Sequence, residues 1–444
     1  MGNSLLLKNG IVITMNDRRE VLRGDVLVKD GIIVAVGENL EKNHGGAERV
    51  ISVEGCCVLP GFVQTHVHLC QTLFRGIVED VGLDKWLDRV WQLEAAHDAG
   101  SIYSSAMLGC CELLRSGTTC VLDMGSVHHY EKIFEALLKS GIRAVGGKAM
   151  MDSGEAVPSG LRESTRQSLE ESLKLCSRWS GAGEGRIGYA LAPRFMESCS
   201  EELLRTVAER ARELGLLIHS HASETREELS DCKAQTGLTP VGYLHSIGLT
   251  GPDLVLAHCV HLESEDFQIL SETGTKVSHC PSSNLKLSSG IANIGQMVRS
   301  GVKISLGCDG APCNNNLDMV LEMRLAALLQ SYLNRDDFPW ARLFLEAATI
   351  GGAEALGMGD LIGSLEPGKK ADIIAIDISG PHTFCGGSCE ESFRLVFSAR
   401  GSDVKTVVVD GHVLMEDARF VFLDEEELVA TSSEELRKLL ARCG

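Results

Sequence analysis

Short apolar runs broken by turn dipeptides open the chain. LLLKNGIVI (5–13), GDVLVKDGIIVAVG (24–37) and VISVEGCCVLP (50–60) carry Asn-Gly and Asp-Gly punctuation, the pattern of β-hairpins. The same texture returns in ADIIAID (371–377), VKTVVVDGHVLM (404–415) and ARFVFL (418–423). Two distant segments of one texture predict a small composite β-sandwich made from both chain ends, 1–58 with 365–425. Between them lie eight β-rich apolar segments, at 58–68, 118–125, 142–152, 186–195, 216–224, 254–260, 276–281 and 303–310. Helical patterns separate them, among them 101–117, 131–141, 171–179 and 200–215. Strands alternating with helices predict parallel β/α units, and eight of them predict a closed TIM-like (β/α)8 barrel over 59–364. A C-terminal helix is expected over 426–444.

Composition narrows the class. With 44% hydrophobic and 23% charged residues in 444, the chain can bury a sizeable core and is not a disordered protein. A net charge of -19 repels phosphate backbones and anionic membranes, so neither nucleic acid nor membrane is an expected partner. No apolar run is long enough to span a bilayer, and Met1–Gly10 lacks the pattern of a signal peptide. The sixteen cysteines sit singly in apolar runs or as neighbours such as Cys56-Cys57, which reads as reduced, buried thiols. A cytoplasmic location is expected.

Chemistry concentrates at the C-terminal ends of the predicted barrel strands, where barrel enzymes keep their sites. His66 and His68 are spaced by two on a strand, so they share a face and can converge on one ion. HSHASE (219–224) ends the fifth strand and offers an imidazole, His221, with a carboxylate, Glu224, placed to shuttle protons. His219 shares the face of His221 and is the rival ligand. LAHCVHL places His258 at the end of the sixth strand, as a ligand or a substrate-polarising neighbour, and SLGCDG places Asp309 at the end of the eighth. Three histidines and one aspartate make a mixed nitrogen and oxygen site suited to one divalent ion, Zn2+ first and Fe2+ second.

The strings PGFVQTHVHLCQTLFRG (60–76), HASE (221–224), AHCVHL (257–262), SHCPSSNLKLSSGIA (278–292), LGCDGAPCNNNLDMVLEMRLAAL (306–328) and GSLEPGKKADIIAID (363–377) cover nearly the whole chain. Together they resemble the amidohydrolase superfamily, in the branch that holds adenosine, S-adenosylhomocysteine, 5'-deoxyadenosine and guanine deaminases and the triazine hydrolases. The resemblance implies metal ligands at His66, His68, His221 and Asp309, a proton shuttle at Glu224, and contact of His258 with the new oxygen. It implies that Asp309 is also the general base. No carboxylated lysine is expected, because RIGYALAPRF (186–195) offers none.

For the substrate, the resemblance matches Trp86-Leu87 followed by Glu94 to a glutamate that grips ribose hydroxyls, with the spacing one residue shorter. Arg194 falls where the branch touches the substrate ring, and an arginine there favours a ring bearing a carbonyl. Gln71 is placed to bond a ring nitrogen. The expected reaction is hydrolytic deamination of an adenine-type nucleoside such as 5'-deoxyadenosine, adenosine, methylthioadenosine or S-adenosylhomocysteine. A guanine or pterin deaminase, a triazine hydrolase and a non-catalytic ligand-binding or scaffold barrel are the alternatives. A homo-oligomer, dimer or tetramer, is expected.

Overall fold

The computed structural model describes residues 4–335, 337–386 and 389–443. Eight parallel strands form the centre of the molecule, in the chain order Phe62–Val67, Thr118–Met124, Arg143–Gly147, Ile187–Pro193, Leu217–Ala222, Leu254–His258, Lys276–His279 and Ile304–Leu306. Each pairs with the next in sequence. A parallel bridge between Val67 and Asp309 brings the last strand back to the first, with Asp309 N–H donating to His66 O at 3.0 Å. Gly307 permits that approach: a Cβ there would stand 2.7 Å from the Cβ and the carbonyl oxygen of His66. Inside the seam, the Thr65 hydroxyl is hydrogen-bonded to Ser278 at 2.7 Å and to Ser305 at 2.8 Å.

The barrel strands read as continuous apolar runs because both faces are covered. Thr118–Met124 and Phe62–Val67 are buried at every position. Helices between strands are amphipathic and well bounded. Ser164 and Ser200 cap Thr165–Trp179 and Glu201–Leu214 through their hydroxyls, each worth about 1 kcal/mol, and Gly215 ends the second in the left-handed conformation.

A second, mixed sheet joins both ends of the chain. Its order is Arg419–Phe420, His412–Glu416, Val404–Val409, Ile373–Asp377, Cys56–Pro60, Ser4–Ile13, Val21–Lys29 and Ile32–Gly37, with Arg49–Ser52 paired to Ser4–Ile13. Ile33 at one edge and Val413 near the other share one core with Leu5, Val26, Val58 and Ile373, so a single sheet curls around its own apolar face. Cys56–Pro60 runs directly into the first barrel strand. The buried Arg143 guanidinium, on the third, holds Asp372 by two bonds of 2.7 and 2.9 Å, fastening barrel to sheet.

The final helix, Glu425–Arg442, packs on Ala99–Arg115, with Arg115 Nε donating to Glu425 at 2.8 Å. Its Leu439 enters the same apolar cluster as Trp86 and Leu93 of the helix Leu83–Ala95, which forms one wall of the cavity at the barrel mouth. Among the described residues, no helix is long and apolar enough to cross a membrane.

Candidate active site

His66, His68, His221, His258 and Asp309 meet at the C-terminal mouth of the barrel because each ends or follows a strand whose alternate side chains face inward. His66 Nε2 and His68 Nε2 lie 3.2 and 3.3 Å from Asp309 Oδ1, and His68 Nε2 lies 3.4 Å from His221 Nε2. Metal bonds of about 2.0–2.1 Å set tetrahedral ligand-to-ligand edges of about 3.3 Å. The observed separations match that edge.

The outward ring nitrogens fix which atoms face inward. His68 Nδ1–H donates to Met124 O and His221 Nδ1–H to Arg194 O, both at 2.7 Å, which leaves each Nε2 lone pair facing the centre. His66 Nδ1 is 2.9 Å from His219 Nε2. His66 Nε2 is fully buried with no hydrogen-bond partner, so its lone pair is free to face a cation. Burial pushes His68 down to about 3 and holds His66 and His221 below their ordinary values, so all three are neutral imidazoles, the form that binds metal. Two groups could hold a metal ion here, His66 with His68 and His221, and His66 with His258 and Asp309. His219 stands behind His66 and belongs to neither.

A second set of groups faces the same point. Burial pushes the Glu224 carboxyl up to about 7, against the pull of His258. Burial also disfavours charge on Asp309, but His66, His68 and His258 outweigh it and keep the carboxyl well below the usual range. His258 Nε2 lies 3.6 Å from Glu224 Oε2 and 3.9 Å from Asp309 Oδ2, while its Nδ1–H donates to Asn284 Oδ1 at 2.8 Å. Burial lowers the His258 pKa, and the two carboxylates more than reverse that.

His258 at φ 72° and Asp309 at φ 64° adopt the left-handed region, which costs a non-glycine residue on the order of 1–3 kcal/mol. Such strain persists only where surrounding bonds over-determine the conformation. Here they include Ser283 Oγ–H donating to Asp309 Oδ2 at 2.6 Å and Gly310 N–H donating to Oδ1 at 2.7 Å.

Ser283, Asn284 and Ser289, whose hydroxyl donates to Glu224 at 3.1 Å, are supporting residues that the sequence reading did not single out. The signal was present, since all three fall in SHCPSSNLKLSSGIA (278–292). Glu228 was likewise passed over. It accepts from the backbone N–H groups of Ser223, at 2.8 Å, and Glu224, at 2.6 Å, and so sets the turn that carries Glu224.

A cavity of about 300 Å³ leads to this centre. Trp86, Leu87, Trp91, Phe195 and Leu287 give it apolar walls, and His68, His221, Glu224, His258 and Asp309 reach it. Of the four residues read as substrate contacts, only Trp86 and Arg194 line it. Glu94 lies behind Arg194, held by both guanidinium arms and by Gln71 Nε2–H at 2.7 Å. Burial opposes the Glu94 charge, yet Arg194 keeps its carboxyl below the ordinary value. The expectation of a free glutamate gripping a sugar thus meets a carboxylate already engaged, and Arg194 is the member of the network open to a ligand.

Fold and centre together define a barrel hydrolase with candidate ligands for a metal at its mouth. The chain belongs to the amidohydrolase family, whose model matches residues 57–414. A 5'-deoxyadenosine deaminase of Methanosarcina mazei is 39% identical over 443 residues, covering 99% of each chain. A 5-methylthioadenosine/S-adenosylhomocysteine deaminase of Moorella thermoacetica is 40% identical over 395 residues, covering 88% of this chain and 89% of its own. Among solved structures, an adenosine deaminase from Xanthomonas campestris with bound zinc superposes with a TM-score of 0.92 at 31% identity, covering 98% of both chains.

Proposed function

We propose that this chain is a metal-dependent aminohydrolase that replaces the exocyclic amine of an adenine-type nucleoside with oxygen, releasing ammonia. The observation that carries the reading is the meeting of two proton-handling carboxyls, Glu224 and Asp309, with His258 beside three neutral imidazoles at the floor of one apolar-walled cavity. Relatives named for deaminating 5'-deoxyadenosine, methylthioadenosine and S-adenosylhomocysteine, at 39–40% identity, support the substrate class.

His66, His68, His221 and Asp309 would hold one divalent ion, with zinc supported by the neighbour that contains it. When bound, such an ion supplies water acidified from 15.7 towards about 7, hence a nucleophile at neutral pH. Asp309, ionised, accepts the proton that the attacking water loses. Glu224, which burial places near 7, is protonated in about half the molecules at that pH, and in that form it gives its proton to the ring nitrogen next to the amine-bearing carbon, which makes that carbon electrophilic. His258, oriented by Asn284, hydrogen-bonds the new oxygen. The proton on Asp309 passes to the amine, the C–N bond breaks with its electron pair leaving on nitrogen, and the proton of the new hydroxyl returns to Glu224, so that the products are a lactam and ammonia.

Sixteen free thiols support a reducing, cytoplasmic setting. One observation favours a second reading. The Arg194 guanidinium in the cavity wall can donate to a ring carbonyl, which suits guanine or a pterin. Ammonia release from a panel of adenosine, 5'-deoxyadenosine, methylthioadenosine, S-adenosylhomocysteine, guanine and pterin separates the two. Fastest turnover of an adenine nucleoside supports the first reading, and fastest turnover of guanine or pterin replaces it.

A further inference from the structure

The cavity mouth carries charge of one sign. Asp84 and Asp88 project from Leu83–Ala95, and Glu227 and Asp231 project from Arg226–Thr236; all four are exposed and line the opening. None of the four forms an ion pair among the described residues. The basic residues of the same two helices that lie nearest, Lys85, Arg89 and Arg226, do not line the cavity. Arg194 is the one lysine or arginine in the described wall, and it is buried and committed to Glu94.

Below that ring, Trp86 and Trp91, each only 4% exposed, give the cavity aromatic walls against which a flat base can pack. In the nucleoside reading the base meets His221, Glu224 and Asp309 on the floor, and the substituent on the sugar's 5' carbon is the part taken to face the mouth.

We propose that the acidic mouth selects nucleosides by the charge of the 5' substituent, accepting neutral and cationic groups and turning away anionic ones such as phosphate. The inference rests on the nucleoside reading above and narrows it. A ring of like charges over low-dielectric walls focuses its field on whatever enters, raising or lowering productive encounter by on the order of 10–10³. Between exposed groups such an effect weakens within a Debye length of about 8 Å at physiological salt, so it is salt-dependent, whereas exclusion by size is not.

The test compares kcat/KM of the metal-loaded full chain for three adenine nucleosides: 5'-deoxy-5'-(methylthio)adenosine, which is neutral, 5'-amino-5'-deoxyadenosine, which is cationic, and adenosine 5'-monophosphate. The expected order is amine at or above thioether, with the monophosphate lower by on the order of 10–10³ and the gap narrowing as salt rises. The double variant Asp88→Asn/Asp231→Asn should narrow the ratio of thioether to monophosphate. A monophosphate turned over as well as the thioether, or a gap unmoved by salt and by the double variant, overturns the proposal. Ammonia from none of the three sinks the nucleoside reading instead. The charge order is then read from quenching of tryptophan fluorescence on binding, where equal affinity for the three rejects the acidic filter.

Discussion

Arg194 grips Glu94 with both arms, Nη1 to Oε2 at 2.7 Å and Nη2 to Oε1 at 3.1 Å, and the pair is almost wholly out of solvent. Removing one member leaves the other as an uncompensated buried charge, which costs about 3–5 kcal/mol, whereas replacing both by apolar residues of similar volume costs far less. Glu94→Gln and Arg194→Met should each lower the unfolding midpoint in guanidinium strongly, and the double variant should fall short of their sum. Strictly additive losses would show that the two residues are not a stability pair.

Glu224 is predicted to act in proton transfer alone. Glu224→Gln keeps the size, so metal content should match that of the parent while kcat falls by about 10²–10⁴. Near-normal turnover in this variant assigns the shuttle to His258 or Asp309. Loss of metal together with activity would make Glu224 a ligand.

His219 meets the centre through the 2.9 Å contact between its Nε2 and His66 Nδ1, with its ring nearly parallel to that of His221. Groups in such a position typically tune metal affinity 10–100-fold. Competition with a chromogenic chelator should show a loss of about that size in His219→Ala, while saturating metal still gives one ion per chain. His66→Ala should fail to reach that stoichiometry. Unchanged affinity in His219→Ala would reduce its role to packing.

Much of this architecture is legible in the chain because its barrel strands are covered on both faces. TTCVLDM and FVQTHV read as strands from their apolar runs, and both are buried throughout. Strand period two brings His66 and His68 to one face, and a strand-end position brings His221, His258 and Asp309 to the same mouth. What local pattern does not carry is which side chains turn back on others across long separations. Glu94 and Arg194 lie 100 residues apart, and nothing near either announces the pairing. The 26-residue reaches from Asn284 to His258 and from Ser283 to Asp309 are invisible for the same reason. The end segments read as hairpins, but their joining into one nine-stranded sheet depends on long-range register, as in Ile374 opposite Leu59.

Asp123 provides a test of pH dependence away from the catalytic carboxyls. It is fully buried at the second barrel strand, accepting from Leu69 N–H at 2.8 Å and from the Tyr130 hydroxyl at 3.0 Å, and burial pushes its carboxyl up to about 7. In the unfolded chain an aspartate titrates near 3.9. Between about pH 4 and 7 the folded protein therefore holds a proton that the unfolded chain has lost, and stability falls as pH rises through that window. Above about 7 the deficit is constant, on the order of 4 kcal/mol. Asp123→Asn keeps the oxygen that accepts from Leu69 and offers an N–H to the Tyr130 oxygen, with no charge to bury. The variant should match the parent near pH 4 and exceed it by a margin that grows to pH 7 and then levels. Urea unfolding at half-unit pH steps measures that margin, and a margin independent of pH, or a variant less stable at pH 8, would show that the parent carboxyl is not held protonated by its burial.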